Sequence, residues 1–253
     1  MDARNPQRMK DAQTSFQSHV TGERRSPLQK YQDTVLGKGG LGYLLTFDLI
    51  MLVCSWMPGA LGFWLRKMLY PSLFAEIGRG VVFGRNVVLR HPHKISLGDH
   101  VVIDDNCVLD AKGCEDGRFQ IGANVILSRG CLLSAKAGSL TIGENTNFGA
   151  NCLVYAVKHA TIGRDTLFAA QCYVGGSMYH IDRTDIPPIQ QGSYADGVSI
   201  GDGCWLGAGV KVLDGVTVGD GVILGAGAVV TNNIEPFTVA VGVPAKGIKR
   251  RTA

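Results

Sequence analysis

Of the six histidines in this 253-residue chain, His180 has the setting that general-base chemistry asks for. It sits in the stretch G-G-S-M-Y-H-I-D-R-T-D-I-P-P-I-Q-Q-G, stiffened by Pro187 and Pro188 and unlike the sequence on either side. Imidazole has an ordinary pKa of about 6.5, is largely neutral at cell pH, and can take the proton of an attacking hydroxyl. Asp182 or Asp185 could orient the ring, or simply keep the loop soluble; Asp182 is also a candidate on the substrate side. The other histidines read as plainer residues. His19 lies in a polar stretch, His91 and His93 in the corner R-H-P-H-K, and His100 and His159 at turn positions, His159 near the loop. None of the seven cysteines forms a C-x-x-C pair, so neither a metal site nor a redox pair is indicated.

The elements that must position His180 follow from a six-residue period. Ile77, Phe83 and Leu89 form one apolar triplet, and Leu97, Ile103 and Leu109 the next. Ile121, Leu127, Leu133; Ile142, Phe148, Val154; and Ile162, Phe168, Val174 continue it. Ile200, Leu206, Val212 and Val218, Leu224, Val230 complete seven turns of three sides each. Four residues after the first and second member of each triplet comes a small or β-branched residue, from Val81 and Val87 to Val222 and Ala228. Cys107, Cys131, Cys152, Cys172 and Cys204 fill this slot and read as buried small hydrophobes. Glycine, Asp and Asn gather where corners need unusual backbone angles. The pattern specifies an all-β, parallel β-helix and leaves its handedness open. Triplet starts lie about twenty residues apart except between Ile162 and Ile200, where the interval is 38 and a loop spanning 175–199 leaves the solenoid.

The array resembles the bacterial hexapeptide-repeat acyltransferases, with likeness over residues 77 to 250. It is most similar to maltose and galactoside O-acetyltransferases and polysaccharide O-acetyltransferases, and more loosely to serine acetyltransferase. The carrying residues are Ile200-Gly201-Asp202-Gly203-Cys204-Trp205-Leu206-Gly207, the run G-A-G-A-V-V-T from Gly225 to Thr231, and Gly242-Val243-Pro244-Ala245-Lys246. The resemblance implies a left-handed helix, a homotrimer, acyl-CoA (acetyl-CoA) as co-substrate and no metal. It also implies His180 as the base, with Ala208, Ala226, Thr231 and Lys246 along the CoA arm. Lys246 would meet a CoA phosphate, Trp205 would flank the site, and Asn151 would stand beside the acceptor. Two departures bear on the acceptor pocket: His180 falls one residue later after its coil, and the segment from Asn151 to Ile162 is two residues shorter. The expected activity is acyl transfer to a hydroxyl of a sugar or glycoconjugate. Alternatives are a serine or amino-sugar N-acetyltransferase of the same fold, or a non-catalytic solenoid scaffold. γ-Type carbonic anhydrases share the prism but use a histidine pair separated by four residues, and here the intervals from His91 onward are 2, 7, 59 and 21.

The rest of the chain divides into a polar, basic tail over 1–39, read as flexible, and an apolar helical hairpin over 40–74. The β-helix follows over 75–235, with a C-terminal tail over 236–253 that the resemblance places against CoA. Residues 41 to 70 read either as helices at the inner face of the membrane, with Trp56, Trp64, Tyr70, Arg66 and Lys67 as the interfacial set, or as a lid on the first coil. Neither piece reaches the ~20 apolar residues of a membrane span. A net charge of +4, with basic residues gathered at the two ends, argues against nucleic acid as partner. The unpaired cysteines and the absence of a secretory pattern point to the cytoplasm.

Overall fold

The computed structural model describes residues 26–252; His19 and the rest of 1–25 lie outside them. The solenoid is a parallel β-helix of about seven turns with three faces, each turn giving one short strand to each. The first face runs from Glu76–Ile77 to Thr217–Val218, the second from Val82–Phe83 to Thr238–Val241, and the third from Val88–Arg90 to Val229–Val230. Register confirms the triplets: Ile77 pairs with Leu97, Ile103 with Leu127, and Val174 with Val212. Across the inserted loop Ile162 still pairs with Ile200, because the neighbouring coils must close their hydrogen-bond ladder. Phe148 and Phe168 stack at 4.4 Å between ring centroids in the middle of the core.

The small slots are buried, and the structure adds a reason for cysteine and threonine there. Their side chains donate to carbonyls one coil on: Thr146 Oγ1 to Gly163 O at 2.8 Å, Cys152 Sγ to Ala169 O at 3.1 Å, Cys204 Sγ to Gly219 O at 3.2 Å. Corner carbonyls that the strands leave over thus find donors. Burial pushes the Cys204 thiol up to about 11, which makes it a poor nucleophile. At Gly143 the coils come so close that a Cβ would stand 2.4 Å from Arg164 N, so the glycine there is steric.

The outsides of the faces differ. The first presents Glu76, Ser96, Gln120, Thr141, Thr161, Ser199 and Thr217, a polar row. The second presents Val82, Val102, Ile126, Asn147, Leu167, Trp205 and Ile223, and the third is also largely apolar. Two adjacent faces therefore keep apolar outer rows that the described residues leave half-buried or, at Val88, Ile126, Leu167 and Trp205, exposed.

At the N-terminal end, helix α1 (Pro27–Tyr31) starts from a capping box in which Ser26 and Gln29 bond reciprocally, with Pro27 in the first turn. A π-turn, Gln32–Leu36, follows and ends at Gly37. Residues 26–36, assigned above to a flexible tail, are thus helical, strapped down where His91 N donates to Val35 O at 2.8 Å and Leu36 is buried. Helices α2 (Leu41–Cys54) and α3 (Gly59–Leu69) form the expected hairpin and cap the first coil with Leu44, Phe47, Ile50 and Cys54. Of the interfacial set, Arg66 and Tyr70 turn inward. Arg66 donates to Cys54 O and Met57 O, carbonyls left open at and past the end of α2, and to Phe83 O of the first coil, and Tyr70 packs on Phe83.

Candidate active site

His180 owes its place to the end of the fifth coil. The third-face strand Tyr173–Gly175 stops at Gly175 and Gly176, whose φ values of 97° and 109° turn the chain out of the prism. There it forms an antiparallel hairpin, Met178–Tyr179 against Ser193–Tyr194. His180 follows the first strand; its amide donates to Gly192 O at 3.0 Å, and its ring lies against Tyr194 with centroids 5.0 Å apart. The imidazole is partly exposed, so a substrate can reach it. Gln191 braces the loop by donating to Arg183 O at 2.7 Å and Ile186 O at 3.0 Å. Neither aspartate orients the ring among the described residues: Asp185 is bound by Arg183, which holds its carboxyl below the usual range, and Asp182 is exposed.

The loop returns to the prism through an anchor that the sequence did not reveal. The Asp214 carboxylate accepts from the amides of Asp196 at 2.7 Å and Gly197 at 3.0 Å. His159 lies on Gly197, where a Cβ would come 2.2 Å from the ring Nδ1. The Tyr173 hydroxyl is pushed up by burial, by Tyr155 and by the nearby Asp214 charge, and Lys136 lies 5.1 Å over the Tyr155 ring. These groups meet only because the coils stack; in sequence, Tyr155 and Asp214 are far apart. The edge between the third face and the first thus carries the hairpin together with a phenol, carboxylate and imidazole cluster.

The other candidates lie elsewhere on the same chain. Asn151 (φ 59°), Ala208 and Ala226 are exposed corner residues on the edge between the second and third faces. Ala208 O accepts from Gly227 N at 2.8 Å, so the two alanine corners are adjacent coils of one edge. Flanked by glycines and carrying only methyl groups, they leave backbone that a thin, extended ligand chain can approach. Trp205, 50% exposed, stands on the second face between Leu167 and Ile223. Thr231 follows the last third-face strand, on the hairpin's side of the prism. The tail folds back: Val229 N donates to Gly242 O, Val229 O accepts from Ala245 N, and exposed Lys246 opens the strand Lys246–Arg250 opposite Val241. One chain therefore divides the candidates between two edges, His180 with Thr231 on one and Asn151 with Ala208 and Ala226 on the other.

Residues 197–232 match the family described as bacterial transferase hexapeptide (six repeats), and 75–111 and 139–158 match the hexapeptide repeat of succinyl-transferase. WbbJ of Escherichia coli, named as a lipopolysaccharide biosynthesis O-acetyl transferase, is 36% identical over 143 residues, 53% of this chain and 73% of its own length. A Mycobacterium tuberculosis protein named as an acetyltransferase is 32% identical over 163 residues, 64% of this chain and 54% of its own. This chain thus spans about half the length of the mycobacterial relative. The solved structure of AntD, an N-acyltransferase from Bacillus cereus, in complex with dTDP and 3-hydroxybutyryl-CoA, superposes with a TM-score of 0.54 at 20% identity. It covers 75% of this chain and 90% of AntD, and shows a shared fold. The chain belongs to the bacterial hexapeptide-repeat acyltransferases.

Proposed function

We propose that the protein transfers an acyl group, acetyl in the first instance, from the thioester of acyl-CoA to a hydroxyl of a sugar or glycoconjugate, with His180 as general base. One observation carries it: the long interruption of the repeat presents an accessible imidazole whose backbone is fixed by Gly192 and whose ring rests on Tyr194. The acceptor oxygen attacks the thioester carbonyl carbon as its proton passes to the imidazole nitrogen. Collapse of the tetrahedral intermediate breaks the C–S bond, and the imidazolium returns the proton to the departing thiolate. The methyl-lined corners at Ala208 and Ala226 suit the pantetheine arm of CoA, and exposed Lys246 suits one of its phosphates. Asn151 and Asp182 are then the residues nearest the acceptor, with Trp205 flanking the site on the CoA side. The reported names of the relatives, lipopolysaccharide O-acetyl transfer above all, support a sugar-related acceptor.

The two-edge arrangement and the apolar outer rows of two adjacent faces support a ring of identical chains, a homotrimer, in which the hairpin edge of one copy meets the alanine edge of the next. The exposed loop residues Met178, Tyr179, Ile181 and Ile189 would find cover there. Acyl-CoA is a cytoplasmic donor, so this function places the protein in the cytoplasm, at the inner face of the membrane if its acceptor is membrane-bound. The test is incubation with acetyl-CoA and a panel of sugars, nucleotide sugars and amino sugars, reading thiol release and product mass. A base-labile ester on the sugar is the expected product. A base-stable amide would replace the hydroxyl acceptor by an amine, and absence of thiol release with every acceptor would favour a scaffold.

A further inference from the structure

The cap has a second side. Leu41, Leu45, Leu49 and Leu52 along α2, with Trp56 just past its end, follow one another at spacings of three to four residues and are 58–71% exposed. Leu61, Phe63, Trp64, Met68 and Leu69 of α3 add five more exposed side chains. At roughly 100 Å² each they make an apolar surface on the order of 1,000 Å², against ~300–600 Å² for the largest patch of an ordinary monomer. The buried side of the hairpin already caps the first coil, so the lid role leaves this outer surface unexplained.

We propose that the outer face of α2 and α3 docks on the surface of an anionic lipid bilayer, with the helices lying in the interface. Charge decides between possible occupants. The only carboxylate within the two helices, Asp48, is turned to the Tyr31 hydroxyl, and Arg66 is buried under carbonyls. Of the exposed charges at the ends of the two helices, Lys38 stands just ahead of α2 and Lys67 in the last turn of α3, both cationic, while beside Phe63 the Asp105 carboxylate is already paired with Arg85. The 25 residues ahead of Ser26 hold five lysines and arginines against three carboxylates, so the sequence leading into the patch is basic as well. A second copy meeting the patch face to face would oppose these cations, whereas anionic headgroups complement them. The same 25 residues contain few large apolar side chains, Met1, Met9, Phe16 and Val20, and are poorly suited to cover ten. Exposed Trp56 and Trp64 are residue types enriched at the headgroup level. No single described helix is long and apolar enough to cross a membrane, and α2, at 14 residues or about 21 Å, suits lying flat.

This shares with the functional proposal only its place at the membrane; vesicle binding and acyl transfer are separate measurements, so either can fail alone. The full chain is sedimented with vesicles of phosphatidylcholine, or of phosphatidylcholine mixed equally with phosphatidylglycerol, without detergent. The expected result is binding to the mixed vesicles, with a blue shift in tryptophan emission. The Leu49→Glu/Leu52→Glu variant, altered only at exposed positions, should bind at least tenfold more weakly with unchanged circular dichroism. Should that variant misfold, Lys38→Glu/Lys67→Glu leaves the apolar face intact and should lose binding selectively on the anionic vesicles. Wild-type protein remaining in the supernatant, or charge-reversed protein binding both vesicles like wild type, would overturn the proposal. So would lipid-free, end-to-end association in light scattering that Leu49→Glu/Leu52→Glu abolishes, which would make a second copy the occupant.

Discussion

Replacing Asp214 by Ala removes the acceptor on which the hairpin carrying His180 closes. Its carboxylate holds two backbone amides, Asp196 at 2.7 Å and Gly197 at 3.0 Å, and among the described residues neither amide has a second acceptor. A hydrogen bond to a charged group contributes about 1.5–3 kcal/mol. The site is half exposed, so water recovers part of this for the released amides, leaving a net loss of about 1–3 kcal/mol for the pair. At about 1.4 kcal/mol per factor of ten, the Asp196 and Gly197 amides should exchange with solvent ~10–100 times faster, while the strand amides of the coils stay protected. Turnover should fall by a similar factor, because the hairpin carrying His180 is less firmly placed. Asp214→Asn keeps one carbonyl acceptor and should fall between. Hydrogen exchange read by mass spectrometry, together with steady-state kinetics, gives both numbers. Unchanged exchange at 196–197 in the Ala variant would show that the loop is held by something other than this anchor.

Three further outcomes are expected. Phe168→Ala empties the ring stack with Phe148 and should cost about 3–5 kcal/mol in denaturant unfolding. Leu167→Asp, on the outer row of the second face beside Trp205, should shift the assembly toward monomer in light scattering with the coils still folded. Burial, with Lys38 next, lowers His93 to about 4, and burial lowers His91 as well. An unfolded chain takes up these protons near the ordinary 6.5. Their contribution is therefore full above that value and is lost as pH falls toward about 4. Wild type should lose thermal midpoint over this window faster than a His93→Leu variant.

The solenoid was legible because stacking makes chemistry periodic. All seven triplets occupy matching positions in the register, even across the 38-residue interval from Ile162 to Ile200. Polar composition alone reads 26–36 as tail, whereas Ser26-Pro27 and Gln29 spell the capping box from which the helical turns of 27–36 start. Arg66 and Tyr70 looked interfacial from residue type alone. One helical turn apart, they share the side of α3 that faces the first coil, and sequence does not say which side that is. The position of His180 on a loop was readable; its ring partner Tyr194 and the anchor Asp214 were not. Hairpin register brings the first close, and coil stacking the second. The separation of Asn151, Ala208 and Ala226 from His180 onto different edges likewise needed the three faces laid out in order.

The most direct test of acyl transfer by His180 is a comparison of His180→Ala with His159→Ala under saturating acetyl-CoA and acceptor, each first shown to fold and assemble as wild type. General-base catalysis contributes ~10²–10⁴-fold, so the His180 variant should lose about that much in kcat while retaining CoA binding. His159 touches Gly197 at the base of the loop, so its variant should lose far less. Near-wild-type turnover in His180→Ala, with the large loss appearing in His159→Ala, would put the base on the prism instead of the hairpin and contradict the proposed chemistry.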